Sequence, residues 1–118
     1  MNESIKNVKW VGNSRVQVRN FPKAARKTIG DALNFAQLGY KHPNAKPVKG
    51  VGSGVLEITA RFDTNTYRAV YTVKLGENIY VLHAFQKKST RGISTPKKEI
   101  DLIKQRLKIA LAMEVENE

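Results

Sequence analysis

Val55-Leu56-Glu57-Ile58-Thr59-Ala60-Arg61-Phe62, then Tyr67-Arg68-Ala69-Val70-Tyr71-Thr72-Val73-Lys74-Leu75, then Ile79-Tyr80-Val81-Leu82-His83-Ala84-Phe85-Gln86-Lys87-Lys88 are the runs that decide the fold. Each is rich in β-branched and aromatic residues, and turn-forming stretches at Asp63 to Thr66 and at Gly76 separate them. Links this short favour antiparallel neighbours, so the runs predict a three-stranded meander. A strand sends alternate side chains to opposite faces. Leu56, Ile58, Ala60 and Phe62 therefore share a core face with Tyr71, Val73 and Leu75. The other face receives Glu57, Thr59 and Arg61, then Arg68, Val70, Thr72 and Lys74. In the third run His83, Phe85 and Lys87 share one parity. If no bulge intervenes, Glu57, Arg61, Arg68, His83 and Lys87 meet on one side of the sheet.

Upstream of the meander, Lys6 to Val11 has the composition of a short strand. Ser14 to Arg19 is ambiguous, because Ser14 suits a helix cap while Val16 and Val18 alternate like a strand. A helix is favoured, since Phe21-Pro22 then opens a clear one. Pro22 suits a first helical turn, where its missing N–H has no partner to lose. Ala25, Ile29, Ala32, Leu33 and Ala36 recur at helical spacing, and Gly39 is a natural stop. Gly30 inside that helix costs ~1 kcal/mol relative to alanine, which implies a packing reason for it. Gly50-Val51-Gly52-Ser53-Gly54 is a turn into the meander; no Gly-Lys-Ser/Thr follows it to make a phosphate-binding P-loop. Downstream, Thr95 suits an N-cap and Pro96 a first helical position, with Ile100, Ile103, Leu107, Ala110 and Leu111 as the apolar stripe. The predicted order β-α-α-β-β-β-α describes an α+β domain, its helices on one face of a mainly antiparallel sheet.

The 118 residues suffice for one domain, residues 1–118, and 41% hydrophobic content supplies a core. Residues 114–118 form an acidic tail that either frays or shields a basic face. No apolar run spans a bilayer, and Met1-Asn2-Glu3-Ser4 lacks the basic flank of a signal peptide, so a cytoplasmic protein is expected. Cysteine is absent, which sets aside disulfides, thiol nucleophiles and thiolate metal sites, and two histidines are too few for a His-dominated metal site; no cofactor is expected.

The net charge is +11, and three of the ten acids fall in the last five residues, so residues 1–113 carry 21 cations against 7 acids. Such an excess suits a polyanion, with RNA or DNA ahead of an acidic protein. A membrane surface is disfavoured, because the cations are not gathered on one amphipathic helix.

Individual residues sharpen this. Arg68 sits inside a run of apolar residues, where a charge is costly unless it is paired or faces a groove. Glu57 and Arg61 have an alternative as a same-strand surface pair. His83 alone is more often a hydrogen-bonded structural residue than a catalyst. Lys87, Lys88, Arg91, Lys97 and Lys98 stand between Val81 and Lys98 without an acid. Two of them occupy a helix's first turn, where the macrodipole disfavours cations. That conflict points to a polyanion nearby.

Tyr80 to Ser89 and Ile93 to Ile100 resemble the HigB-like, phage-derived branch of the RelE toxin superfamily. Tyr67-Arg68-Ala69-Val70-Tyr71, Lys46-Pro47-Val48-Lys49-Gly50, Gly54 to Ile58 and the Phe21-Pro22 helix fit the same resemblance, which covers most of residues 5–111. It implies a small α+β toxin that cleaves mRNA, often on the ribosome, and is neutralised by a cognate antitoxin, a helix-turn-helix protein. Arg68 and the pair Lys87 and Lys88 correspond to functional positions of the family. The tyrosine that some relatives carry after the last strand has no counterpart in Ser89 to Lys98.

RNA cleavage through the substrate's own 2′-hydroxyl needs a base, an acid and cations at the phosphoryl group. The expected catalytic set is Arg68 and Lys87 on the phosphoryl oxygens, with His83 as acid or base and Glu57 as a substitute base. Arg61, Lys88, Arg91, Lys49 and Phe85 are the expected RNA contacts. A non-catalytic nucleic-acid-binding or regulatory protein is the alternative.

Overall fold

A computed structural model describes residues 5–87 and 95–116. In chain order the elements are β1 (Asn7–Trp10), α1 (Ser14–Arg19), α2 (Lys23–Gln37), β2 (Ala45–Pro47), β3 (Val55–Phe62), β4 (Asn65–Leu75), β5 (Asn78–Lys87) and α3 (Lys97–Glu116). The strands form one sheet in the order β1-β5-β4-β3-β2. β1 runs parallel to β5, and every other pairing is antiparallel. The α+β class, the meander and the helical assignment of Ser14–Arg19 therefore hold. Gly39, at φ 89°, ends the α2 region as expected. The three-residue β2 is an addition; its Ala45–Pro47 stretch is too short to show a period, and it pairs with only Leu56, Glu57 and Ile58 of β3. No helix among the described residues is long and apolar enough to cross a membrane.

The helices do not share one face. α1 and α2 bury Val18, Ala25, Ile29, Ala32, Leu33 and Ala36 on the side bearing Leu56, Ile58, Ala60, Ala69 and Tyr71. α3 buries Ile103 and Ala110 on the other side, over Val55, Val70, Tyr80, Leu82 and Phe85. The physical reason lies in β5. Ile79 to Phe85 is buried at every position, so this strand is apolar on both faces and needs a cover on each.

A β-bulge re-aims the site side of β5. Val70 pairs with His83 while Tyr71 pairs with Val81, leaving Leu82 as the extra residue. Two successive side chains then point the same way. This is why Leu82 lies in the α3-side core while His83 pairs with Val70 of that face.

Both helix-starting prolines sit one position earlier than expected. Pro22 and Pro96 precede their helices and accept the first backbone bonds, Pro22 from Arg26 at 2.9 Å and Pro96 from Ile100 at 3.0 Å. Gly30 has no packing reason, since a Cβ there meets nothing within 4 Å. Residues 114–116 belong to α3. Glu114 accepts hydrogen bonds from Asn78 Nδ2 at 2.9 Å and from the Tyr80 hydroxyl at 2.7 Å.

Candidate active site

β3 extends beyond the end of β2, and at this step in the sheet edge a cleft of ≈ 840 Å³ opens. That volume lies within the ~300–1,000 Å³ typical of ligand sites. Its wall contains Glu57, Arg61, Arg68, Lys46, Lys49 and Thr95, so four cations face one carboxylate. Thr28 of α2 and Ile100 of α3 close its two sides.

The register of β3 and β4 brings the central groups together. Glu57 stands opposite Val70, and Arg68 stands opposite Thr59, one step along the same face. Arg68 Nη1 donates to Glu57 Oε1 at 2.6 Å, with 11% and 12% of the two side chains exposed. Charges this desolvated are retained only when paired. The second carboxylate oxygen is also engaged. Thr95 Oγ1 donates to Glu57 Oε2 at 2.9 Å. The expected helix-capping hydroxyl thus reaches across to the sheet instead and ties the start of α3 to the cleft.

Arg61 is exposed at the cleft rim, as are Lys46 and Lys49. Lys87 belongs to the same face one strand further, since Arg61 pairs with Thr66 and Thr66 with Lys87. Lys88 and Arg91 lie outside the described residues.

His83 and Phe85 lie elsewhere on this face, under α3 and not in the cleft wall. Only 6% of His83 is exposed. Its Nε2 lies 2.8 Å from Glu99 Oε1, and its Nδ1 lies 3.4 Å from Arg106 Nη1. A guanidinium only donates, so Nδ1 must be the acceptor and Nε2–H the donor to Glu99. The imidazole is thereby assigned as neutral, in one tautomer. Burial pushes its pKa below the ordinary histidine value, against the opposing pull of Glu99. Arg106 completes the arrangement by donating to the Leu82 carbonyl at the bulge (3.0 Å) and to Asn13 Oδ1 (2.7 Å). Phe85 is 8% exposed, stacks on His83 with ring centroids 5.2 Å apart, and belongs to the core.

Sequence reasoning missed Lys46, Glu99, Arg106 and the tie made by Thr95. Lys46 had a signal, because it stands directly opposite Glu57 once β2 is recognised. The others depend on α3 crossing the sheet, which no spacing reveals. Among the described residues no group of three His, Asp or Glu side chains stands ready to hold a metal ion.

Chemically, the cleft offers a desolvated guanidinium, a carboxylate fixed through both oxygens and three exposed cations at its rim. That combination suits a phosphodiester beside a hydroxyl group. Residues 17–108 match the family model described as "Phage derived protein Gp49-like (DUF891)". No curated protein matches the chain.

Proposed function

The chain belongs to the phage-derived Gp49-like family, a toxin-like family related to RelE and HigB, and from that premise we propose that it is the toxin of a bacterial toxin–antitoxin pair, an endoribonuclease that cuts mRNA on translating ribosomes. The observation that carries this reading is the Arg68–Glu57 pair in the wall of an open, cation-rimmed cleft.

In the proposed reaction the scissile phosphate enters between Arg61, Lys49 and Arg68. Its oxygens take over the Arg68 guanidinium, whose planar fork matches them and whose charge persists at any physiological pH. Glu57 is then released from Arg68 but keeps its bond from Thr95. The freed carboxylate oxygen accepts the proton of the substrate's 2′-hydroxyl, which attacks the adjacent phosphorus. The bond to the 5′-oxygen breaks, that oxygen receives through water the proton that Glu57 took, which returns Glu57 to its carboxylate form, and a 2′,3′-cyclic phosphate remains. Lys87 adds positive charge on the same face. His83 takes no proton in this scheme, because both its ring nitrogens are occupied under α3.

The test is incubation of purified protein with translating ribosomes, followed by mapping of mRNA 5′ ends. New ends with wild-type protein, absent with Arg68→Lys, support the proposal. Binding without new ends favours a non-catalytic RNA-binding protein.

A further inference from the structure

Residues 5–30 contain seven Lys or Arg and no Asp or Glu. Five of these cations, Arg15, Arg19, Lys23, Arg26 and Lys27, occupy the elbow formed by α1 and the first turn of α2, and all five are exposed. Lys27 is paired with Asp31 at 3.1 Å. Among the described residues no carboxylate stands within salt-bridge distance of the other four.

The arrangement is internally repulsive. Arg15 and Arg19 are four apart on α1, and Lys23 and Arg26 are three apart on α2. Like charges at these spacings are neighbours and destabilise a helix. Neither helix has an acidic residue in its first turn, and the first turn of α2 carries cations against its macrodipole. Inside the described structure only the Lys27–Asp31 pair and the place of Arg19 in the last turn of α1 offset this.

The elbow adjoins the cleft. Thr28 lines the cleft wall, and Arg26 and Lys23 lie about 3 Å and about 7.5 Å back along the same helix axis. Phe21, between the two helices, packs on Tyr67 with ring centroids 4.9 Å apart, and Tyr67 pairs with Ala60 of the cleft wall. Around the α2 axis Arg26 and Lys23 stand about 200° and about 140° from Thr28, so an RNA backbone leaving the cleft past Thr28 reaches them by turning round the helix.

We infer that the α1–α2 elbow is a second contact surface for the phosphate backbone of the RNA whose scissile linkage sits in the cleft, holding nucleotides flanking the cut. This rests on the RNA reading of the cleft and extends the footprint beyond it. Backbone phosphates are favoured over an acidic protein because the elbow exposes no cluster of large apolar side chains. Val16 is its one large exposed hydrophobe, whereas a stable protein interface needs an apolar centre.

The test compares wild type with the triple variant Arg19→Gln, Lys23→Gln, Arg26→Gln, using 2′-O-methyl RNA that cannot be cut. Trinucleotide and twelve-nucleotide probes are titrated by fluorescence anisotropy across salt concentrations, and circular dichroism checks folding. The variant is expected to bind the trinucleotide like wild type but the twelve-mer at least ~10-fold more weakly, with the salt slope shallower by ~2, at ~0.7 per lost phosphate contact. Unchanged twelve-mer affinity and slope would overturn the inference. So would elbow-dependent binding of polyglutamate as tight as that of RNA, which would assign the surface to an acidic protein. The two proposals fail separately. Elbow-dependent RNA binding without any mRNA cleavage removes the nuclease and leaves the elbow, while cleavage with an inert elbow does the reverse.

Discussion

Separating Arg68 from Glu57 should destabilise the fold, and the size of the loss follows from the geometry. The bond is 2.6 Å long and both side chains are close to nine-tenths withdrawn from solvent. Removing one member of such a pair leaves an uncompensated charge and costs ~3–5 kcal/mol when burial is complete. Thr95 still donates to Glu57, so Arg68→Met should fall at the low end, ~3 kcal/mol. For a domain of this size that is a drop in Tm of roughly 10 °C. Glu57→Gln keeps a hydrogen-bond acceptor beside Arg68 but removes the carboxylate charge from a buried guanidinium, and should also cost ~3 kcal/mol. The double variant should lose less than the sum of the singles, with a coupling of ~2 kcal/mol, since residues in one ion pair are not additive. Urea unfolding of the four proteins at neutral pH and fixed salt gives the cycle. Additive losses, or an Arg68→Met protein as stable as wild type, would refute a desolvated, coupled pair and with it the idea that substrate must displace Glu57.

Three further outcomes follow from the same structure. Gly30→Ala should raise stability by ~1 kcal/mol in urea unfolding, because the new methyl meets nothing and the helix gains propensity. His83 has its pKa lowered in the folded state, so the unfolded chain binds the proton first. Stability should therefore decline as pH falls below the ordinary histidine value near 6.5, and His83→Gln should flatten that decline while leaving RNA cleavage intact. Glu114 is lowered by the hydrogen bonds from Asn78 and Tyr80. Its contribution is present above the ordinary carboxylate range and is lost as pH falls through the folded-state value. Glu114→Gln should thus be less stable than wild type at neutral pH and converge with it in acid, as followed by thermal melts.

Much of this architecture is written locally. Val55–Phe62 matches its strand to the residue, because alternation of apolar and polar side chains and a two-residue turn at Asp63-Thr64 leave no competing register. The same alternation brought Glu57, Arg61 and Arg68 to one face, and the cleft contains all three. What was not legible depends on tertiary partners. The apolar stripe of α3 does not say which side of the sheet it covers; the doubly buried β5 decides that. Thr95 has the composition of a cap, yet Pro96 stands between it and the helix, and its hydroxyl bonds a carboxylate in the neighbouring sheet. His83 carries a chemistry-bearing side chain at the expected parity, but α3 buries it and engages both nitrogens. Phe85 follows it into the core for the same reason.

The most direct measurement is the chemistry of the cut ends produced from mRNA on translating ribosomes. Wild-type protein should yield upstream fragments ending in a 2′,3′-cyclic phosphate, and folded Arg68→Lys and Glu57→Gln proteins should yield none. Fragments ending in a free 3′-hydroxyl, or undiminished cleavage by either variant, would contradict the central claim that this guanidinium and this carboxylate act together on a ribose–phosphate linkage.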